Sequence, residues 1–171
     1  MANNFELVLL SGQSISSGDA EAFCAGTGSV RLTRTGGFNN GIKIRGSIWD
    51  KVATIKWNES GYSSNNIGYY DSARNWYSLS PSLSWSGSRL TITNLNMPSG
   101  DLDLFVGQDS AADVTYSNLE ILDANGNSLL EATEPSTGLP LYIGDSNIQA
   151  VKLGNVDISK MYIGNTLIYG T

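Results

Sequence analysis

The chain has 171 residues, of which 40% are apolar and only 15% charged, and a formal net charge of −6. The acidic balance argues against broad nucleic-acid binding, because phosphates repel it. The absence of histidine removes Ser-His-Asp and Cys-His arrangements and histidine-held zinc together, and a single cysteine leaves no internal disulfide.

In chain order, residues 1–4 carry no Lys or Arg and the apolar run at 7–10 is short, so no signal peptide is expected. No stretch approaches the ~20 apolar residues of a membrane span, so no membrane insertion is expected. The expectation is a protein made in a cytoplasm and released by lysis. Phe5–Leu10 reads as the first strand and Ser11–Asp19 as a polar turn region. Ala20–Ala25 fits one helical turn or a strand, and Cys24 within it is expected to be a small buried residue. Ser29–Arg34 alternates, with Val30 and Leu32 inward, and so does Ile42–Arg45 after a loop at 36–41. Val52–Trp57 places Ala53, Ile55 and Trp57 on one face.

A long polar segment, Asn58–Asn75, reads as a loop, and loops of that length are often functional. Trp76–Leu79, Leu83–Trp85 and Arg89–Thr93 are short strands. Asp101–Val106 alternates cleanly, with Leu102, Leu104 and Val106 inward against Asp101 and Asp103. Val114–Tyr116, Leu119–Leu122 and Ser128–Glu131 complete the set, with Asn125-Gly126 as a hairpin turn. Many short strands with regularly spaced turn signals predict an all-β fold, an antiparallel β-sandwich of jelly-roll type over residues 1–133. Glu134–Pro140, with two prolines and a glycine, reads as a linker.

Residues 141–171 repeat with a period of ten: Leu141 to Ile148, Val151 to Ile158 and Met161 to Ile168. Gly144, Gly154 and Gly164 are in phase, as are Asp145, Asn155 and Asn165, and Ile148, Ile158 and Ile168. Each unit reads as strand, Gly-Asx turn and strand, because glycine accepts the positive φ of a tight turn and Asx tolerates it next best. The alternation changes phase within units, so either a bulge resets the register or both faces are covered. So short a segment cannot bury enough surface to stand alone. It folds back on its own domain, or it is an assembly element. The assembly reading names Leu141, Tyr142, Ile143, Ile148, Val151, Leu153, Ile158, Met161, Tyr162, Ile163 and Ile168 as the interface.

The ending Val-Lys-Leu-Gly-Asn-Val-Asp-Ile-Ser-Lys-Met-Tyr-Ile-Gly-Asn-Thr-Leu-Ile-Tyr-Gly, residues 151–170, resembles the C-terminal signature of tailed-bacteriophage virion proteins. In those, copies of an apolar-Tyr-apolar-Gly-Asn/Asp/Ser-Thr unit close a tail, fibre or head-decorating protein. The match covers only residues 141–171. The first unit departs with Asp145, Ser146 and Asn147, and the second has Lys152 where the others have Tyr142 and Tyr162. The resemblance implies a virion location, other virion proteins as partners, and a homo-oligomer, with a trimer expected by analogy with fibres. It carries over no catalytic residue.

Other constellations are weaker. Asp101 and Asp103 are i, i+2 on one strand face and point the same way, so they do not clamp a bond between them as a glycosidase pair would. Asp123, Asn125, Asn127 and Glu134 have the spacing of an EF-hand, but Ser128 stands where that loop needs glycine. Asp109 and Asp113 sit in a loop, and Gly26 to Gly28 is too short a run for phosphate. No catalytic residue, metal or cofactor is therefore expected. The one constellation of ligand-binding character is aromatic: Trp57, Tyr62, Tyr69, Tyr70, Trp76 and Tyr77, with Asn65, Asn66, Asp71 and Arg74. Flat rings under the C–H faces of a sugar, with amides and carboxylates for its hydroxyls, would hold a host-surface glycan. The alternative is that Trp57 and one of Tyr69 or Tyr70 are core or interface packing. The sequence thus predicts a non-enzymatic structural component of a phage particle, tail-associated (fibre, tip or baseplate). The alternatives are a carbohydrate-binding module for host attachment or a capsid-decorating protein.

Overall fold

The structure is a computed structural model. It describes residues 3–34, 40–60, 63–108 and 113–130, and the backbone of four short strands between 151 and 169. The chain divides into two compact units, Met1–Pro135 and Ser136–Thr171. The first holds β1 (Phe5–Leu7), β2 (Gln13–Gly18), helix α1 (Ala20–Cys24), β3 (Ser29–Arg34) and β4 (Asn40–Gly46). It continues with β5 (Thr54–Glu59), β6 (Ser63–Tyr70), β7 (Trp76–Ser78), β8 (Ser82–Ser86), β9 (Arg89–Thr93), β10 (Leu102–Gln108) and β11 (Val114–Leu122). The second holds β12 (Val151–Leu153), β13 (Val156–Ile158), β14 (Met161–Ile163) and β15 (Thr166–Tyr169). Among the described residues no helix is long and apolar enough to cross a membrane.

The first unit is a β-sandwich of two antiparallel sheets, ordered β1-β4-β10-β6-β7 and β2-β3-β11-β5-β9-β8. Period-two alternation builds it. In β10, Leu102, Leu104 and Val106 face the core, as the sequence predicts, and in β5 Ile55 and Trp57 do. Ile42 and Ile44 of β4 and Leu90 and Ile92 of β9 extend the same layer. Each such burial is worth roughly 1.5–3 kcal/mol. Trp49 packs edge-on against Phe5, ring centres 5.0 Å apart, and its indole nitrogen donates to the Leu102 carbonyl at 2.9 Å.

Three local expectations are corrected. The polar segment 11–19 contains β2, which pairs with β3 along Gln13–Gly18. The expected loop at 58–75 contains β6, which pairs with β10 on one side and β7 on the other. Neighbouring backbones, not their own apolar content, hold these polar segments extended. The two strands expected at 114–116 and 119–122 are one, β11. Asn118 at φ +53° and a register shift between Ser117 and Glu120 switch the inward parity, so that Tyr116, Leu119 and Ile121 are all buried. Residues 20–24 are helical, because the Asp19 carboxylate accepts from the Glu21 and Ala22 amides, and the turn buries Phe23 and Cys24. Burial pushes the Cys24 thiol up to about 12. The predicted linker at 134–140 lies outside the described residues.

Candidate functional site

β6 and β7 form an edge hairpin that gathers four of the six predicted aromatics. Tyr69 lies opposite Tyr77 and Tyr70 opposite Trp76. Facing residues share a side of the sheet, so the pairs project from opposite sides. Tyr69 stacks on Tyr77 with ring centres 5.0 Å apart and packs against the core. Tyr70 and Trp76 occupy the outer side, 5.0 Å apart. Trp76 reaches across Gly68 to Phe105, at 6.1 Å. A Cβ at Gly68 would meet the indole at 2.4 Å, so glycine is what lets that ring lie flat on the sheet.

The turn between these strands is fixed by Asp71. Its backbone carbonyl accepts from Arg74 N at 2.9 Å, and its carboxylate accepts from Asn75 N at 2.8 Å and Asn75 Nδ2 at 2.9 Å. These bonds hold the Asp71 carboxyl below its usual range, with the Asn75 side chain the largest cause, and the nearby Asp71 charge raises Tyr77. The turn after β11 is built alike. The Asp123 carbonyl accepts from Gly126 N at 3.1 Å, and its carboxylate accepts from Asn127 N at 2.8 Å and Asn127 Nδ2 at 3.1 Å. In both, the fourth residue is left-handed: Gly126 at φ +83° in one and Arg74 at φ +65° in the other. That conformation costs an L-residue about 1–2 kcal/mol. The remaining non-glycine residues with positive φ among those described are Asn94, Asn96 and Asn118, a type that tolerates it.

Arg74 overhangs a groove of about 710 Å³ on the outer side of the five-stranded sheet. Its floor is a row of charges. Arg45 donates to both Asp103 oxygens, at 2.7 and 3.2 Å, and to Glu6 at 3.0 Å. Lys43 sits 3.6 Å from Asp103, with its ammonium 6.0 Å from the centre of the Tyr70 ring. Val8–Ser11 lines one side, with Leu9 exposed, and Tyr70, Asp71, Ser72 and Arg74 line the other. Asp101 also lines it. Neither Arg74 nor Asp101 has a side-chain hydrogen bond or ion pair among the described residues.

The predicted residues thus separate. Trp57 is corrected from sugar ligand to core: it is fully buried between the sheets, edge-on to Tyr116 at 6.2 Å, because it shares the inward parity of Ile55. Tyr62 lies outside the described residues, and Asn66 is exposed on β6. Lys43, Arg45 and Asp103 were legible only as outward-facing strand residues. They meet through pairing of β4 with β10, which no local pattern announces.

Trp57 leads instead to a buried polar cluster. Its indole nitrogen donates to Glu59 Oε2 at 2.7 Å, while Glu59 Oε1 and both side-chain polar atoms of Gln108 are buried without a partner. Burial raises the Glu59 carboxyl, against the lowering effects of the Trp57 bond and of the nearby Gln108 amide, which lies outside hydrogen-bond geometry. Burial also raises the Tyr116 phenol.

In the second unit, the decapeptide period is realised as hairpins. Val151 lies opposite Ile158 and Leu153 opposite Val156. Met161 lies opposite Tyr169 and Ile163 opposite Thr166, with a register shift between Met161 and Tyr162. Ile168 lies in β15. Leu141, Tyr142, Ile143 and Ile148 lie outside the described residues. No family model matches the chain, and no curated protein matches it significantly.

Proposed function

We propose that this chain is a non-enzymatic structural component of a tailed-bacteriophage particle, tail-associated, with the sandwich as its body and the C-terminal hairpins as its means of assembly. One observation carries this reading: the ten-residue period corresponds to one two-stranded hairpin per unit, at 151–158 and 161–169, in a compact unit separate from the sandwich. A lone two-stranded hairpin is marginally stable in water, and strands from other copies supply what it lacks. The resemblance of residues 151–170 to virion-protein endings supports the setting. Light scattering on the full chain tests it. The expected mass is a multiple of 18.3 kDa that falls to one chain when Ile158 and Ile163 are replaced by Asp. A monomeric wild type overturns self-assembly.

A second reading, attachment to a host glycan, is favoured by the outer pair Tyr70 and Trp76 beside a groove of mixed charge. Its test is a glycan-binding assay on the full chain with Tyr70→Ala, which is expected to abolish capture and leave the mass unchanged.

A further inference from the structure

We propose that the groove on the outer side of the five-stranded sheet binds a saccharide bearing a carboxylate, with Arg74 holding the carboxylate and Tyr70 the sugar ring. The proposal rests on the glycan reading for the sugar, and adds the acidic group and the residue that recognises it.

The floor of the groove is already satisfied. Arg45 gives its donors to Asp103 and Glu6, and Lys43 shares Asp103. These groups make a rigid, charge-balanced base. Arg74 is different. Its guanidinium is exposed, lines the groove, and has no partner among the described residues. It also stands where the sister turn has Gly126 and where the other left-handed positions among the described residues carry glycine or asparagine. Nothing in the turn needs a long cation there, because Asp71 and Asn75 close it through their own bonds. The side chain is accounted for by what it presents to the groove. A guanidinium offers a planar pair of donors that matches a carboxylate.

The surroundings choose the rest of the ligand. A phosphate or sulfate would want converging cations, but the two nearby are committed to Asp103, whereas a singly charged carboxylate is matched by one guanidinium. Sugar hydroxyls, in turn, donate to a carboxylate such as that of Asp101. Tyr70, backed by Trp76, gives an aromatic wall beside Arg74. At about 710 Å³ the groove lies within the roughly 300–1,000 Å³ of small-ligand sites, with room for more than one ring.

The test is calorimetric titration of the full chain with trigalacturonate and sialyllactose, and with neutral maltotriose, on wild type and Arg74→Gly. Glycine suits the backbone at this position, so loss of binding cannot be ascribed to misfolding, and a raised melting temperature reports that the fold is intact. The expected result is binding of an acidic sugar, weakened at least about tenfold by Arg74→Gly, and no comparable binding of maltotriose. Acidic-sugar binding unchanged in Arg74→Gly overturns the assignment. Binding of maltotriose alone overturns the acidic ligand and leaves the glycan reading standing. Binding of none of the three overturns both.

Discussion

Trp57 Nε1 donates to Glu59 Oε2 at 2.7 Å inside the sandwich, two residues along one strand, and the second oxygen of that carboxylate has no partner. A half-satisfied buried carboxylate prefers its proton. Its pKa in the folded state is raised, so its contribution to stability is fully present below the unfolded value and is lost as pH rises through the folded one. Glu59→Gln keeps an oxygen for the indole and removes the charge. The variant is expected to be more stable than wild type at about pH 7, with the difference shrinking as pH falls towards about 4, the ordinary glutamate range. Denaturant melts of both proteins across pH measure this. A constant difference would mean that the carboxyl is not the cause.

Gly68→Ala is expected to be costly although it adds one methyl. The new Cβ would fall 2.4 Å from both the Trp76 ring and the Tyr77 carbonyl, and the carbonyl cannot move aside as a flexible side chain would. The expected loss is about 1–3 kcal/mol, with Trp76 lifted from Phe105. Thermal melts report the loss, and the NMR shifts of the Trp76 and Phe105 ring protons report the displacement of the indole.

The Asp71 and Asp123 carboxyls are expected to titrate below the ordinary aspartate range, because each accepts from an asparagine four residues on. These depressed values give stability that is present above the unfolded pKa and is lost as pH falls through the folded one. Carboxyl carbon shifts by NMR follow each group. Asn127→Ala is expected to return Asp123 towards its usual range and leave Asp71 unmoved.

Cys24 is buried with its thiol raised to about 12, so little thiolate is present at about pH 8.5. Iodoacetamide is expected to label it only as fast as the chain opens, and denaturant is expected to release rapid labelling. Mass spectrometry of timed samples measures it, and fast labelling of the native protein would contradict the burial.

The strands that stood out in the sequence are those whose inner side is fully apolar. Leu102, Leu104 and Val106 identify β10, and Ile55 and Trp57 identify β5. β2 and β6 escaped because Ser, Asn and Gly fill them, with Ile15 exposed and Ile67 the main inward residue of β6. Their extension is imposed by β3, β10 and β7. The aromatic group around Trp76 was legible as a composition, but its division into two sides required the register of β6 on β7. Trp57 already carried the contrary signal, since its alternation with Ile55 assigns it to the core. The turn that carries Arg74 was also readable: Asp71 to Asn75 repeats the spacing of Asp123 to Asn127, with arginine in place of glycine. The groove was not readable, because Arg45 and Asp103 are far apart in sequence and neither strand's pattern distinguishes a binding face from a solvated one.

The bidentate pairing of Arg45 with Asp103 has a consequence for the order in which the protein matures. It joins strands 58 positions apart, so the groove floor does not exist until β10 has been synthesised and has inserted between β4 and β6. Such distant closures are slow steps in folding. The terminal hairpins join residues only a few positions apart, and closures of that kind take microseconds. On refolding of the full chain, the groove floor is therefore completed by a search across 58 positions, whereas the terminal hairpins close almost at once. The groove floor, not the hairpins, is the late-acquired part of the refolding molecule.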